Sequence, residues 1–239
     1  MGTRRILITN DDGIEASGII RLAAAAVKFG EVWVVAPDSQ RSAMSHSITL
    51  RDKIDVYPAD FPVEGVKAYK STGTPADCVR VGVLNIMKGD VDVVLSGINC
   101  GYNSATDMQY SATAGAAFEA AFQGKRAIAF SEGFNGITET TDRYLEEVIA
   151  ELIDKPLEFG QIWNVNFPEC RLEQCKGILR DRTLAHTSFY LDRYDETKLE
   201  NGGFSYRVNG QYREPREEGS DMTALIDGYV SIGIAQNIS

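Results

Sequence analysis

The sequence has few cysteines, few histidines and no long apolar run. Its four cysteines form no CxxC pair, which removes the spacing typical of zinc ribbons and thioredoxin-like redox motifs. No stretch of 18 apolar residues occurs, so no segment is predicted to span a membrane. The N-terminus has no basic-then-apolar leader and no lipidation signal. We therefore expect reduced thiols and an unanchored protein in the cytoplasm.

Basic residues are also scarce. Lys and Arg number 24 against 34 Asp and Glu, a formal net charge of −10, and no Lys/Arg-rich run is present. Without such a run the chain lacks the means to neutralise a row of phosphates, so we expect no long nucleic acid as a partner. A small phosphorylated substrate is compatible with this charge, because a metal ion and a few donors can reverse the potential inside one cleft.

Two continuous apolar runs, residues 5–9 and 32–36, flank an Ala- and Leu-rich stretch with helical spacing at residues 19–29. Continuous rather than alternating apolar runs are typical of parallel strands that are covered on both faces. The strand and helix alternation continues to Phe167. The sequence therefore predicts an α/β fold with a mostly parallel sheet, and residues 52–70 are predicted to form a peripheral hairpin or edge excursion.

The pattern changes beyond residue 170 to long alternations of polar and apolar residues. Asn209-Gly210 lies between two such runs, and this dipeptide is a strong hairpin-turn signal. We predict a catalytic core at residues 1–170, an extended β-hairpin arm for oligomerisation at 171–219, and a C-terminal helix and strand at 220–239.

Two adjacent carboxylates, Asp11 and Asp12, follow the first strand, where a dinucleotide-binding fold would instead have GxGxxG. Two carboxylates about 4 Å apart repel by on the order of 1 kcal/mol in water, and by more when desolvated, so such a pair favours a bound cation. Hard oxygen ligands suit Mg²⁺ or Mn²⁺. The alternative is that Asp12 is only a helix N-cap and Asp11 a turn residue.

Polar loops follow two further strands, and ligands of open parallel sheets bind at these carboxyl ends. The loop at residues 37–47 is rich in hydroxyls, including Ser42, and is either a source of ligands or a solvated connection. The Gly-rich loop after Leu95 offers the neutral carbonyl of Asn99. Ser111 begins a helix whose N-terminus is suited to an anion, although the residue can equally be an ordinary cap.

Taken together, these segments resemble the SurE (survival protein E) family of nucleotidases over nearly the whole chain. The motifs that carry the resemblance are Ile8-Thr9-Asn10-Asp11-Asp12-Gly13, Val35-Ala36-Pro37-Asp38 through Arg41-Ser42, Gly73-Thr74-Pro75-Ala76-Asp77-Cys78, Ser96-Gly97-Ile98-Asn99, Tyr110-Ser111-Ala112-Thr113 and Asp227-Gly228-Tyr229-Val230-Ser231.

The resemblance implies a Rossmann-like, three-layer α/β/α fold and hydrolysis of 5′- and 3′-nucleoside monophosphates, with short polyphosphate as a further substrate. It implies one divalent ion per subunit, Mg²⁺ or Mn²⁺, and a homodimer or homotetramer with exchanged C-terminal segments. The expected metal ligands are Asp11, Asp12, Ser42 and Asn99, and the expected phosphate or substrate contacts are Asn10, Asn103, Ser111 and Thr113.

The expected reaction is metal-assisted hydrolysis of a phosphomonoester, with Asp11 or Asp12 orienting or deprotonating the attacking water. Three alternatives stay open at this point. Asp11 can itself be a covalent nucleophile, His46 can protonate the leaving alcohol, and the chain can be a non-catalytic Rossmann-like binding module for nucleotides or sugar phosphates.

Overall fold

The computed structural model describes residues 2–238, so Met1 and Ser239, the end residues of the predicted segments, lie outside it. The strands are β1 (Arg5–Thr9), β2 (Glu31–Pro37), β3 (Val56–Ala59), β4 (Lys67–Ser71), β5 (Val93–Cys100), β6 (Arg126–Glu132), β7 (Gln161–Phe167), β8 (Ile178–Leu179), β9 (Tyr190–Leu191), β10 (Tyr194–Lys198), β11 (Phe204–Val208), β12 (Gln211–Tyr212) and β13 (Val230–Gln236). The α-helices are α1 (Ser17–Ala26), α2 (Pro75–Val81), α3 (Ala112–Phe122), α4 (Glu139–Leu152) and α5 (Asp221–Ile226).

Nine strands form one sheet in the order β3-β4-β2-β1-β5-β6-β7-β13-β8. All neighbours in it are parallel except the β3–β4 and β7–β13 pairs. From β1 the chain moves to β2 on one side, while β5 pairs with β1 on the other. The strand order therefore reverses between β1 and β5, and ligands of open α/β sheets bind at such a reversal.

The helices cover both faces of the sheet. α1 packs with α4 on one face, and α2 packs with α3 on the other, with a fully buried apolar cluster beneath each pair. This arrangement confirms the predicted three-layer α/β/α fold with a mostly parallel sheet. None of the helices within residues 2–238 combines the length and apolar character needed to cross a membrane.

Local signals in the sequence locate several elements correctly. Thr74 caps α2 through a capping box with Asp77, and Pro75 is the first residue of the helix. The predicted edge excursion is the antiparallel β3–β4 pair, in which Pro58 lies on the outermost strand, where a sheet tolerates proline.

The hairpin turn of the arm was predicted at the wrong place. β10 pairs with β11, so the turn lies at residues 199–203, where Leu199 N donates to Gly203 O (2.9 Å). Asn209-Gly210 instead separates β11 from β12, which pairs with β9. Asn209 N donates to Arg193 O (2.8 Å), so the dipeptide interrupts one long ribbon. A five-residue Gly-containing turn is an equally ordinary hairpin connection, and pairing of the longer strands decides between the two.

Only part of the predicted 171–219 arm projects from the molecule. β8 joins the main sheet beside β13, and Ala185 and Phe189 are buried against Met222 and Leu225. Every residue of β10 and β11 is exposed. The projecting ribbon is therefore residues 190–213, and its base is packed on the core.

Candidate active site

The predicted site lies where the strand order reverses, at the carboxyl ends of β1 and β5. Asp11 and Asp12 follow β1 after Asn10, and Asn99 is the second-last residue of β5. α1 approaches this end of β5 closely, because Gly18 has no side chain. A Cβ at Gly18 would lie 2.1 Å from the carbonyl oxygen of Ile98, so α1 and the site loop fit only with glycine there.

Asp11 is almost fully buried, with 3% of its surface exposed. Its carboxylate accepts a hydrogen bond from the hydroxyl of Thr113. Burial raises the pKa of Asp11 to about 6; the Thr113 hydrogen bond lowers that pKa, and the nearby negative charge of Asp12 raises it. In the metal-free protein, the charged form of Asp11 is therefore less stable than that of a free aspartate, and a bound cation would stabilise it.

Asp12 is less buried and is held by two donors. Its Oδ2 accepts the backbone N–H of Cys100 (3.0 Å), and its Oδ1 accepts Gln40 Nε2 (3.4 Å). Burial raises the pKa of Asp12, these two hydrogen bonds lower it, and Glu132 raises it again. Asp12 is not a helix cap, because α1 begins five residues later with Ala16 at its N-cap position. The cap alternative is therefore wrong.

Gln40 links Ser42 to the site. Its Nε2 donates both to Ser42 Oγ (3.0 Å) and to Asp12. The loop that carries Ser42 is tied to the strand end, since Arg41 N donates to Asp11 O (2.7 Å). It also lies directly on α3, because a Cβ at Gly115 would come within 2.6 Å of Ser45 O. The loop is thus held over the carboxylates and is not a free surface connection.

Asn99 is partly buried, and its side chain has one fixed orientation. Its Nδ2 donates to Gly101 O (2.7 Å) and to Asn103 Oδ1 (3.4 Å). Within residues 2–238, no donor reaches its Oδ1. The amide therefore points a free carbonyl oxygen away from Asn103, and such an oxygen is a suitable ligand for a hard cation.

Asn103 lies beneath Asn99 in a buried polar network. Its Nδ2 donates to Ser131 Oγ (2.7 Å), and its backbone O accepts Asn164 Nδ2 (2.9 Å) and Asn166 Nδ2 (3.0 Å). Ser131 and Asn99 engage the two ends of its side-chain amide, so Asn103 supports Asn99, a predicted ligand. The substrate contact expected of Asn103 stays a prediction. The buried asparagines of β7 were a signal in the sequence, since two polar residues interrupt an otherwise apolar strand.

Asn10 is fully buried and close to the carboxylates in sequence. Its Nδ2 donates to Gly13 O (2.8 Å), which fixes the turn that follows β1. Its Oδ1 is buried and has no hydrogen-bond partner. An unpartnered buried oxygen beside two carboxylates is costly unless a ligand or solvent satisfies it.

The N-terminus of α3 faces the same end of the sheet. Ser111 is its N-cap, and Ser111 Oγ accepts the N–H of Ala114 (2.9 Å). Its own hydroxyl proton remains available, so capping and phosphate binding are compatible. The N–H groups of Ala112 and Thr113 have no acceptor within the helix. The hydroxyl of Thr113 donates to Asp11, so its side chain holds the carboxylate and only its backbone N–H is left for the predicted anion.

His46 is directed to a different partner. Its Nε2 lies 2.8 Å from Glu119 Oε2, and its ring stacks on Phe122 at 5.4 Å. Glu119 is two turns along α3 from Ser111 and also accepts a hydrogen bond from Arg80 (3.1 Å). His46 is thus part of an ion-paired cluster on the outer part of α3, and the structure does not bring it to the carboxylates.

Two groups that contribute to the site were not identified from the sequence. Gln40 and the backbone N–H of Cys100 hold Asp12, and only the folded loops bring them there. Within residues 2–238, no cluster of three or more His, Cys, Asp or Glu side chains could hold a metal ion. A metal at Asp11 and Asp12 must therefore be completed by neutral oxygens.

Comparison with known proteins identifies the family. The family model described as survival protein SurE matches residues 6–189, a range that ends where the projecting ribbon begins. This match confirms the resemblance predicted from the motifs.

Relatives of known name extend over almost the whole chain. A protein named 5′-nucleotidase SurE from Flavobacterium psychrophilum is 37% identical over 231 residues, covering 95% of this chain and 89% of the relative. One of the same name from Brucella canis is 35% identical over 238 residues, covering 95% and 90%. The crystal structure of the SurE protein from Aquifex aeolicus superposes with a TM-score of 0.84 at 32% identity, covering 98% of this chain and 94% of that one. The chain belongs to the SurE family.

Proposed function

We propose that this protein is a divalent-metal-dependent nucleotidase that hydrolyses 5′- and 3′-nucleoside monophosphates to nucleoside and phosphate. The names of its relatives support a nucleotidase. The observation that carries the proposal is the pair Asp11 and Asp12, whose carboxylates lie together at the strand reversal with both pKa values raised. Short polyphosphate is a further proposed substrate, and the cytoplasm is the proposed location, as the cysteine usage predicts.

The residues present fit a divalent cation. Two carboxylates supply negative charge, and the free carbonyl oxygen of Asn99 and the hydroxyl of Ser42 supply neutral oxygens of the kind that Mg²⁺ and Mn²⁺ prefer. The unpartnered Oδ1 of Asn10 lies in the same turn. A bound ion would neutralise charge on the phosphate oxygens and lower the pKa of an attacking water.

The side chains of the protein itself would position the reactants. Ser111 and the free N–H groups at the start of α3 hold the phosphate dianion, aided by the helix dipole. The Asp11 and Asp12 carboxylates orient the water on the opposite side, and Thr113 holds Asp11 in one rotamer. Fixed donors and acceptors of this kind stabilise developing charge without reorganising during the reaction.

We propose water as the nucleophile and no role for His46 in protonating the leaving group. The bond from His46 to Glu119 keeps its Nε2 occupied. Covalent attack by Asp11 is the alternative, and it predicts an aspartyl-phosphate that can be trapped by acid quenching. Hydrolysis of a monoester with an isotopically chiral phosphate separates the two routes, since one direct displacement by water inverts the configuration at phosphorus and two displacements through Asp11 retain it.

A proposed homodimer or homotetramer, joined through exchanged C-terminal segments, would use the outer part of the projecting ribbon, residues 194–208. Support comes from its exposed apolar side chains, among them Tyr194 (61% exposed), Tyr206 (58%) and Val208 (68%). Apolar patches of this kind are typical of protein interfaces.

The experiment that tests the function is phosphate release from a panel of 5′- and 3′-monophosphates, with EDTA and after addition of Mg²⁺ or Mn²⁺. We expect release that depends on the ion and that EDTA abolishes. Binding of nucleotides without any release of phosphate would instead favour the non-catalytic binding module.

A further inference from the structure

A recess of about 660 Å³ opens beside the candidate active site, between the loop after β5 and the base of the ribbon. This volume is within the range of pockets for small molecules. Gly101 and Tyr102 form one wall of the recess, and Cys100, the residue before them, donates its N–H to Asp12. The wall of the recess therefore begins at the residue that follows the N–H donor of Asp12.

Aromatic faces line the recess on the side of the ribbon. Tyr190 and Tyr212 are 40% and 53% exposed, and both line it. Tyr212 is backed by the buried ring of Phe189, which lies parallel to it at 6.0 Å, and Tyr190 meets Tyr212 edge-on at 5.7 Å. The two tyrosines are thus a supported aromatic surface of the kind on which a nucleobase stacks.

The charged groups of the recess are all acidic, because Asp107, Glu169 and Glu214 line it and no Lys or Arg does. Glu169 accepts hydrogen bonds from Asn135, and Glu214 accepts the hydroxyl of Tyr212 (3.1 Å). Asp107 differs from them, since it is half-buried and receives no hydrogen bond from any residue within 2–238. Its carboxylate therefore stays open to the recess, and an N–H group of a ligand could donate to it.

We infer that this recess binds the nucleoside half of the substrate, with the base on Tyr190 and Tyr212 and an N–H donor of the base on Asp107. The inference rests on the proposed nucleotidase activity. A neutral, planar group with N–H donors suits an aromatic and acidic recess, whereas additional phosphates would be repelled. Asp107, Tyr190 and Tyr212 would then determine specificity for bases with amino groups and for monophosphates.

The test compares three substrates of the wild-type protein with Mg²⁺ or Mn²⁺ present: AMP, purine riboside 5′-monophosphate and ribose 5-phosphate. Purine riboside monophosphate keeps the ring of AMP but has no N–H donor on its base, and ribose 5-phosphate has no base. We expect kcat/KM to fall about tenfold or more from AMP to the purine riboside, as for loss of a hydrogen bond to a charged group. A further fall of similar size is expected for ribose 5-phosphate, from the loss of stacking.

Variants then assign the two effects. Asp107→Ala should bring the ratio of kcat/KM for AMP to that for purine riboside 5′-monophosphate close to one. Asp192 is a neighbouring acid outside the recess, and Asp192→Ala should preserve the ratio. Tyr212→Ala should lower the AMP to ribose 5-phosphate ratio about tenfold. Its matched control is Tyr57→Ala, because Tyr57 on β3 is as exposed as Tyr212 (52% against 53%) and lies outside the recess.

Adenosine and purine riboside, used as competitive inhibitors of p-nitrophenyl phosphate hydrolysis, test the same inference without any variant. The inhibition constant of adenosine for the wild-type protein should be about tenfold lower than that of purine riboside. Metal-dependent hydrolysis with equal inhibition by the two nucleosides, and equal kcat/KM for AMP and purine riboside 5′-monophosphate, would contradict binding of the base in the recess. The proposed nucleotidase activity would be unaffected by that result. Failure to hydrolyse any of these esters would contradict the proposed nucleotidase activity itself.

Discussion

The hydroxyl of Thr113, at the start of α3, donates a hydrogen bond to the carboxylate of Asp11, at the end of β1, although 102 residues separate them in the sequence. This contact joins the helix that faces the proposed phosphate to the carboxylate that faces the proposed metal. It also stabilises the charged form of Asp11 against the cost of its burial.

Thr113→Val should weaken metal binding and lower kcat/KM about tenfold or more, because a hydrogen bond to a charged group contributes about 1.5–3 kcal/mol. Valine keeps the shape of the side chain, so the fold should be retained. Thr113→Ser should recover most of the loss. Titration of activity against Mn²⁺ measures the effect, and equal metal affinity in the valine and wild-type proteins would mean that the Thr113 bond does not position Asp11.

Asp11→Asn should abolish activity and yet stabilise the metal-free protein. The pKa of Asp11 rises on folding from 3.8 to about 6, so its ionisation opposes folding as the pH rises through this window, and fully so above it. One pKa unit corresponds to about 1.4 kcal/mol, which gives a gain of up to about 3 kcal/mol in EDTA at pH 8. Near pH 4 the gain should fall below about 1 kcal/mol, because the carboxyl is then protonated in the folded state and about half protonated in the unfolded state.

Urea unfolding in EDTA at pH 8 and pH 4 measures this difference. Glu15→Gln is the control, because Glu15 is an exposed carboxylate of the same loop. A variant that is less stable than the wild type at pH 8 would show that the charge of Asp11 is satisfied within the protein and needs no cation.

Ser111→Ala should lower both stability and turnover. Loss of the cap costs about 1 kcal/mol, and loss of the hydroxyl proton removes a donor to the phosphate. Ser220→Ala is a matched control, since Ser220 caps α5 in the same way by accepting Thr223 N (3.1 Å) and lies outside the site. We expect similar losses of stability by thermal unfolding, with a lower kcat only for the Ser111 variant. Equal kinetics in the two variants would reduce Ser111 to a cap.

Deletion of residues 194–208 should reduce the oligomeric mass measured by light scattering. Asn209 N donates to Arg193 O (2.8 Å), so the two ends already lie opposite each other and a two-glycine turn can join them. β9 and β12 at the base are kept, together with the burial of Phe189. A deletion protein with a native melting temperature and an unchanged mass would show that the ribbon does not build the oligomer.

The sequence was most informative where a local rule determines a structure. The Thr74-Pro75-Asp77 cap, the buried strands and the polar strand ends that carry Asp11 and Asn99 all follow from nearest-neighbour chemistry. The Asn209-Gly210 turn was misjudged because the pairing of β10 with β11, a longer-range effect, overrides a dipeptide preference. Gln40 and Thr113 acquire their contacts with Asp12 and Asp11 only through the meeting of distant segments, which periodicity and spacing do not encode.

Phosphate release from AMP by the wild-type protein, Asp11→Asn, Asp12→Asn and the Glu15→Gln control, each with Mn²⁺ or with EDTA, tests the central claim most directly. We predict a metal-dependent rate for the wild type and the control. Each aspartate variant should be slower by orders of magnitude, because it loses one of the two charges that face the ion. Wild-type release that persists undiminished in excess EDTA, or aspartate variants as fast as the control, would contradict a metal-dependent site at Asp11 and Asp12.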